Sequence, residues 1–568
     1  MIFQSQTIKN LGLMLLGIFL SVSGLHSQSD PTAQKRVSGT YVIQNVNLVA
    51  SPGSNATQTS ILIKDGLIQE VGRNLRVPAE AQIIAGDSLY AYHAFIDVFT
   101  TAGVSRPADL ERPSDFNPSK PSDEIAGITP WRQVLDYYDA KNNSVTEWRK
   151  LGFTIAQVAP EGGMIPGKTA LVTYGGPNSS NVIGRQNALH AKLRNSGGGR
   201  SLYPGTTLGV MAKFRDVYKN AELSAKHDRT FASAAGINRP ERNKTYEALY
   251  PVIDKQIPVL FEVTNDLDAR RAMMLQKELG FSLGLIGLQE SDNLIADIKR
   301  TNTMAVLSLK LPENGASKAK KDALTDEGGE KLKRVEEAYQ KALGQAASFE
   351  KEGVPFAFTS AGIRPSDFNK NLDLMVKAGL SEKAALAALT TNAASMLGIS
   401  RFAGTVEKGK LANIMLTTGP LFAENTQIKH VIADGYVFNY EVKTAKKESN
   451  GNNSNGSADL SGSWEYISET PAGSGSGVME IKRDGSSYAG TITYDSPTGA
   501  GKDTADMRNI SWNNNELKFT FSVSAGGMNL DVNVSGLVDG SNYSGNLSIA
   551  DFGSFPLTAT KKPNQLNQ

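Results

Sequence analysis

The sequence has no cysteine among its 568 residues and contains only 5 histidines. Without cysteine the chain can form no disulfide and cannot carry a lipid on an N-terminal cysteine. An excess of one charge is also missing, because 59 Lys and Arg residues balance 57 Asp and Glu residues without a long run of either sign. We therefore expect no nucleic-acid partner and no polybasic membrane surface.

A long apolar run occurs near the N-terminus, where Leu11–Val22 reads LGLMLLGIFLSV after Lys9. Its 12 residues are too few to span a bilayer core of about 30 Å. Small polar residues follow, which is typical of a secretory signal, and we predict that signal at residues 1–27. The expected location is periplasmic or extracellular (secreted), with no membrane span after signal cleavage.

Short, nearly continuous apolar runs recur through the middle of the chain. Parallel strands that are buried on both faces have this composition. Segments with helical spacing of apolar residues separate them, for example residues 266–280 and 326–350. The alternation of strand and helix predicts an α/β barrel. The apolar runs are PVLFEV from Pro258, LGLIGL from Leu283, AVLSLKL from Ala305 and VPFAFTS from Val354.

The composition changes after Lys446, where KESNGNNSNGSAD offers almost nothing apolar to bury. We predict a flexible linker at residues 444–459. Short alternating strands follow, so a small all-β domain is expected over residues 460–561. Within it, RDGSSYAGTIT at Arg483 recurs as VDGSNYSGNLS at Val538, which predicts two similar halves built on Asp-Gly hairpins.

Four segments carry a resemblance to a known family. Tyr90–Gly103 reads YAYHAFIDVFTTAG and resembles the PGFIDxHxH strand of metal-dependent amidohydrolases. Leu380–Glu441 resembles the end of that family, a helix followed by G-x-x-x-x-G-K-x-A-D-x-x, with Asn413 at the aspartate position. Tyr41–Asp97 is similar to the opening strands of the family, and Leu151–Val172 is similar to a strand and Gly-rich turn of its imidazolonepropionase-related branch.

The resemblance covers roughly residues 40–443 and implies a fold. The fold class is α/β, with a (β/α)8 TIM-like barrel at residues 97–403. A composite β-sandwich would combine residues 40–96 with residues 404–443. In this family the metals lie at the C-terminal mouth of the barrel, where they activate a water molecule and polarise the scissile carbonyl.

The resemblance also implies where metal ligands and the catalytic base should stand. These positions are Phe99 and Thr101 on the first barrel strand, and Glu262, Gly287 and Ser360 on later strands. A phenyl ring has no lone pair and a threonine hydroxyl is a poor zinc ligand; glycine has no side chain and serine cannot replace a carboxylate base. Glu262 alone would make a weak site. We therefore expect no cofactor, and zinc or another divalent metal only if the site has been rebuilt.

Other ionisable residues have open or structural interpretations. His190 stands in a polar segment predicted to be a loop or a helix start. His93 precedes the FID strand and is interpreted as structural. Asp97 matches a family acid that mostly braces the mouth, and Glu262 is either a salt-bridged carboxylate or a functional group in the pocket.

Three functional hypotheses remain. The first is an amidohydrolase-family protein that has lost catalysis and acts as a binding or partner subunit, with an intact amidohydrolase homologue or a second copy as partner. The alternative is a working hydrolase of non-peptide or peptide-like C–N bonds with a rebuilt or metal-free site, in which Glu262 and Asp97 are catalytic. The third is recognition of a glycan or a protein by the C-terminal β-domain through exposed Tyr488 and Tyr543.

Overall fold

The chain divides into two compact units, Met1–Ala445 and Lys446–Gln568. The computed structural model describes residues 33–34, 39–442 and 460–562, except 109, 113, 177–181, 195–201, 313–325, 471–472, 485–486, 497–500, 514–515, 526–527 and 550–552. The predicted signal (1–27) and linker (444–459) therefore lie outside the described residues. None of the described helices is long and apolar enough to cross a membrane.

The first unit mixes strands and helices. Its strands are β1 (Ala33–Gln34), β2 (Thr40–Leu48), β3 (Thr57–Lys64), β4 (Leu67–Gly72), β5 (Gln82–Ala85), β6 (Tyr90–His93), β7 (Phe95–Thr100), β8 (Phe153–Val158), β9 (Gly167–Thr173), β10 (Val182–Lys192), β11 (Val259–Glu262), β12 (Leu283–Leu288), β13 (Met304–Ser308), β14 (Phe356–Thr359), β15 (Ile414–Thr417), β16 (Ile428–Ala433) and β17 (Tyr436–Asn439). Its helices are α1 (Asn143–Lys150), α2 (Thr207–Ser233), α3 (Lys244–Glu247), α4 (Tyr250–Ile253), α5 (Asp266–Leu279), α6 (Ile295–Thr301), α7 (Asp326–Lys351), α8 (Phe368–Lys377), α9 (Glu382–Leu389) and α10 (Thr391–Met396).

Strands from both ends of the first unit form one nine-stranded sheet, which we call the end sheet. Its order is β1-β17-β16-β15-β6-β2-β3-β4, and β5 pairs with β2. Strands from the two chain ends pair at two places, β1 with β17 and β6 with β15, and in the second pair His93 lies opposite Ile414. The apolar sides of these strands form a core of their own, with Tyr41, Ile61 and Ile432 fully buried.

The second sheet of the unit is barrel-like and has eight strands, in the order β14-β13-β12-β11-β10-β9-β8-β7. The strands predicted from apolar runs are confirmed as β11 to β14, which pair in parallel with helices between them. The expectation of eight β/α repeats is wrong, because β9 runs antiparallel to both β8 and β10. Two hairpin connections replace two helices there, and hairpins reverse the chain direction.

The first and last strands of the barrel meet along a seam that side chains hold together. No backbone ladder joins β7 and β14 in the described chain, and the seam instead contains the contact between the hydroxyls of Thr100 and Ser360, 2.8 Å apart. The backbone N–H of Ser360 donates to Asp97 Oδ1 at 3.2 Å, and the Thr359 hydroxyl donates to the carbonyl of Phe99. Inside the barrel, apolar residues such as Val98 and Ile286 fill the core.

The described residues of the second unit form strands and turns without a helix. Its strands are β18 (Gly462–Thr470), β19 (Gly473–Asp484), β20 (Ser487–Asp495), β21 (Lys502–Asp506), β22 (Arg508–Asn513), β23 (Glu516–Ala525), β24 (Met528–Asp539), β25 (Asn542–Ile549) and β26 (Gly553–Lys561). They form one antiparallel sheet in the order β21-β20-β19-β18-β26-β25-β24-β23-β22. The runs β18 to β21 and β23 to β26 are therefore both four-stranded meanders, and β22 lies between them in the chain and pairs with β23.

The predicted internal repeat is confirmed by the register of its hairpins. Arg483 lies opposite Tyr488 in the first hairpin, and Val538 lies opposite Tyr543 at the same position of the second. The expectation that both tyrosines are exposed is wrong. Tyr543 is 2% exposed, and Tyr488 is partly buried against the same core. The reason is the alternation of strand side chains, which turns this position inward.

Candidate functional site at the barrel mouth

The candidate site lies where the parallel barrel strands end. Glu262 is the last residue of β11, Gly287 is next to last in β12, and Ser360 directly follows β14. Thr101 directly follows β7 in the same way. Carboxyl ends of parallel strands meet at one end of a barrel, so these expected positions all belong to the C-terminal mouth.

Glu262 has two partners on the neighbouring strand β10, a lysine ammonium and a histidine ring. Its Oε2 atom lies 3.0 Å from Lys192 Nζ and 3.2 Å from His190 Nε2. The parallel register explains both contacts, because Lys192 is directly opposite Glu262, and His190 is two residues earlier on the same face. The Glu262 side chain is 35% exposed, so its carboxylate still borders the mouth.

The pairing keeps Glu262 ionised. Burial opposes ionisation, but the hydrogen bond to His190 and the Lys192 ammonium outweigh it and lower the pKa of Glu262 to about 2. The carboxylate is therefore charged across the physiological range and is largely neutralised by its own neighbours. Of the two interpretations left open by the sequence, the geometry favours the salt-bridged carboxylate.

His190 is a residue of the site that sequence reasoning placed wrongly. It lies in β10, not in a loop or a helix start, and it is completely buried. Its Nδ1 atom is 3.0 Å from the carbonyl oxygen of Pro160, and the ring meets Phe99 edge-on with centroids 4.9 Å apart. Burial lowers the pKa of His190, and the bond to Glu262 opposes that shift. Since each ring nitrogen faces an oxygen, neither points into open space.

The other expected ligand positions provide no metal donor. Phe99 is 1% exposed and packs into the barrel interior. Gly287 has a left-handed backbone (φ +82°), which places its N–H and C=O differently from an ordinary strand residue but adds no side chain. The Ser360 hydroxyl is buried against Thr100. In the part of the chain that the structure describes, no three His, Cys, Asp or Glu side chains gather into a metal site.

The residues present therefore do not fit the divalent metal that the fold family implies. A metal would need two or three neutral imidazoles or free carboxylates facing a common point. Glu262 is the single expected position with such a group, and Lys192 would place a positive charge beside any cation bound there. No hydrolytic step through a metal can be built from this mouth.

Asp97 is buried in the seam between the first and last barrel strands. It is 2% exposed, and its Oδ1 atom accepts the backbone N–H groups of Phe99 and Ser360, both at 3.2 Å. Burial raises the pKa of Asp97 to about 7, although these hydrogen bonds favour its ionised form. Through these hydrogen bonds, Asp97 joins the first and last barrel strands.

His93 has two backbone partners, its neighbour Ala94 and Gly404 in the chain that follows the barrel. Its Nδ1 atom is 2.6 Å from the Ala94 carbonyl, and its Nε2 atom accepts the Gly404 N–H at 2.9 Å. Burial lowers the pKa of His93 to about 4, so the ring is neutral at physiological pH. Its role is structural.

Comparison with known proteins identifies the fold. Residues 320–438 match the model of the amidohydrolase family. No curated protein matches the chain. An amidohydrolase structure from Thermotoga maritima is similar at 18% identity, with a TM-score of 0.58, over 70% of this chain and 100% of that one. A Xaa-Pro dipeptidase with bound methionine has 16% identity and a TM-score of 0.42, over 71% of this chain and 100% of that one.

The class that follows is a protein with an amidohydrolase fold. The segment matched by the family model includes α7 to α10, the returning strands β15 and β16, and most of β17. A separate all-β unit follows it in the chain. At 18% identity the Thermotoga structure establishes the fold and leaves the reaction to be argued from the site.

Proposed function

We propose that this chain is a catalytically silent amidohydrolase homologue of the imidazolonepropionase-related branch, exported and used as a binding or partner subunit. The observation that carries the proposal is the ion-pair cluster at the mouth. Glu262 stands where the family has a metal ligand, and its Oε2 atom is held by Lys192 and His190 at 3.0 and 3.2 Å. A carboxylate neutralised in this way is a poor metal ligand and a poor base.

The chemistry of amide hydrolysis supports the proposal. An amide carbonyl must be polarised while a water molecule loses a proton, and a metal ion or a positioned acid and base do this. His190 is the obvious base by residue type, but it is completely buried with oxygen atoms next to both ring nitrogens. Asp97 is 2% exposed and its Oδ1 atom is occupied by two backbone N–H groups. Neither group reaches a substrate in the mouth.

One observation favours the alternative of a metal-free hydrolase. Glu262 is 35% exposed and keeps its charge to about pH 2, so an ionised carboxylate and the 24% exposed Lys192 ammonium both border the mouth. A substrate that displaced Lys192 from Glu262 would meet a carboxylate beside a cation. In that reaction Glu262 would take the proton of the attacking water and Lys192 would face the developing oxyanion.

Export remains part of the proposal and rests on the sequence of residues 1–27. The apolar run supports export, and the lack of cysteine leaves an exported compartment open. In this setting the partner would be an intact amidohydrolase homologue encoded nearby, or a second copy of the chain. The third hypothesis, ligand recognition by Tyr488 and Tyr543, loses support because Tyr543 is part of the β-domain core.

Metal content tests the silent-homologue proposal. The purified protein is incubated with zinc, manganese or iron, desalted and measured by elemental analysis. We expect no stoichiometric metal in the protein or in Glu262→Ala. Retention of about one or two equivalents, lost in Glu262→Ala but kept in the exposed control Glu424→Ala, would refute the proposal.

Turnover separates the alternative from the main proposal. The protein is assayed with chelator against a panel of cyclic amides, imides and dipeptides. The silent-homologue proposal expects no turnover by the protein. Hydrolysis that survives chelation and disappears in Glu262→Gln and Lys192→Met would establish the metal-free hydrolase instead. Light scattering of the protein, alone and mixed with an intact homologue, tests whether it forms a defined complex.

A further inference from the structure

A polar cleft of about 500 Å³ lies on the end sheet, and no barrel residue lines it. One wall comes from β2 and β3, through Gln44, Asn45 and Ser60. The other wall is the segment 73–77 that follows β4. None of the mouth residues belongs to this cleft, so a ligand here would be independent of the candidate site in the barrel.

Two arginines in the cleft have no partner among the described residues. Arg73 and Arg76 are both exposed, and within the described residues neither makes a hydrogen bond, an ion pair or a ring contact. Several other arginines of the unit do pair with carboxylates, as in the 2.7 Å pair between Arg215 and Glu278. No Asp or Glu among the described residues lines the cleft to neutralise the two guanidinium groups.

A β-bulge shapes the opposite wall. The register of β2 against β3 shifts between Ile43 and Val46, and Asn45 adopts a left-handed backbone with φ +56°. The Asn45 N–H donates to the Ser60 hydroxyl oxygen at 3.2 Å, which fixes the bulge to the neighbouring strand. Bulges redirect side chains at sheet edges. Here the result is an exposed Asn45 amide facing the same cleft as the two arginines.

From this arrangement we infer an anion-binding site for a tetrahedral oxyanion monoester, that is, a phosphate or sulfate ester. A guanidinium group presents parallel N–H donors that match two oxygens of such an anion, and two guanidinium groups can share its charge. Asn45 and Ser60 add polar groups that suit the remaining oxygens or an attached hydroxylated group. The volume is in the range of ordinary small-molecule sites and exceeds that of a bare ion.

Calorimetric titration of the purified protein tests the inference, with glucose 6-phosphate and glucose 6-sulfate as separate probes and glucose as the uncharged control. We expect saturable binding of at least one monoester and none of glucose. Arg73→Gln and Arg76→Gln should each weaken binding about tenfold or more, because each removes a charge-assisted hydrogen-bond pair. The double variant should abolish it.

Matched controls decide between a site and general charge attraction. Arg401→Gln with Lys408→Gln removes the same charge from exposed residues outside the cleft and should leave the affinity unchanged. Binding of the phosphate ester or of the sulfate ester shows which of the two oxyanions the site accepts. Absence of saturable binding for both monoesters, or equal weakening by the control pair, overturns the inference. Unchanged melting temperatures of the variants show that any loss is not caused by unfolding.

Discussion

Replacing Asp97 by asparagine should favour the stability of the first unit, relative to the unmodified protein, more at pH 8 than at pH 5. Asparagine reproduces the protonated form of the carboxyl group, since its oxygen still accepts the N–H groups that reach Asp97 Oδ1 from Phe99 and Ser360. Its amide can donate to the hydroxyls of the seam, as a protonated carboxyl group would. The variant therefore keeps the contacts and removes the titration.

The expected magnitude follows from the pKa of Asp97. Burial raises this pKa from an ordinary value of 3.8 to about 7, so the folded state binds the proton more tightly than the unfolded state. The stability contributed by this proton is fully present below about pH 4 and is lost as the pH rises through 7. At 1.36 kcal/mol per pKa unit the total is about 4 kcal/mol, of which about 3 kcal/mol falls between pH 5 and pH 8.

Urea denaturation at both pH values measures the effect, with hydrogen exchange of peptides covering residues 95–100 to report on the first unit alone. The difference in free energy of unfolding between Asp97→Asn and the unmodified protein should move by about 3 kcal/mol in favour of the variant from pH 5 to pH 8. The exposed control Asp87→Asn should show no such movement. A difference that is independent of pH would refute the reasoning, because the carboxyl would then titrate alike in both states.

Two further substitutions test other parts of the structure. Gly477→Ala should destabilise the β-domain by about 1–3 kcal/mol or more in thermal unfolding, because its new methyl group would overlap the carbonyl oxygen of Thr493. Gly475→Ala, whose nearest neighbour would be a hydroxyl 3.3 Å away, should be milder, and equal effects would contradict the packing argument. Lys192→Met should raise the pKa of Glu262. The low pKa of this carboxyl group adds to the free energy of unfolding above about pH 4.5, and this contribution is lost as the pH falls through 2. The expected loss near pH 4 is about 1 kcal/mol after allowance for solvent screening, and an unchanged acid-unfolding curve would contradict it.

The central barrel strands could be predicted because a strand buried on both faces has a nearly continuous apolar sequence. The runs beginning at Pro258, Leu283, Ala305 and Val354 became β11 to β14. The hairpins of β9 and β10 could not be predicted in the same way. The sequence VIGRQNALHAK of β10 has a polar first half that is partly exposed, and only its second half enters the barrel. Local composition therefore suggested a loop where the fold has a strand.

The sequence predicted where the candidate site lies but not which residues contact Glu262 there. Family-like spacing led to Glu262, and the structure places it at the mouth. His190 was missed because its polar neighbours hid the alternation in ALHAK, where Ala188 and His190 face inward. Helix α5 shows a similar limit: Leu267 and Met274 fit the apolar spacing but are 56% and 51% exposed. Spacing identifies a helix more reliably than it identifies which apolar residues are covered.

The end sheet also constrains how the chain can fold over time. The Tyr41 hydroxyl donates to the carbonyl of Gly435 across 394 residues, and His93 receives the Gly404 N–H across 311 residues. Contacts of such sequence separation form late, because the intervening chain must first be made and ordered. During synthesis β6 emerges long before its partner β15 exists, so this edge of β6 stays open until the barrel is nearly complete. For the exported form proposed above, this delay would keep the nascent chain loose enough to be threaded through a translocation channel before its two ends join.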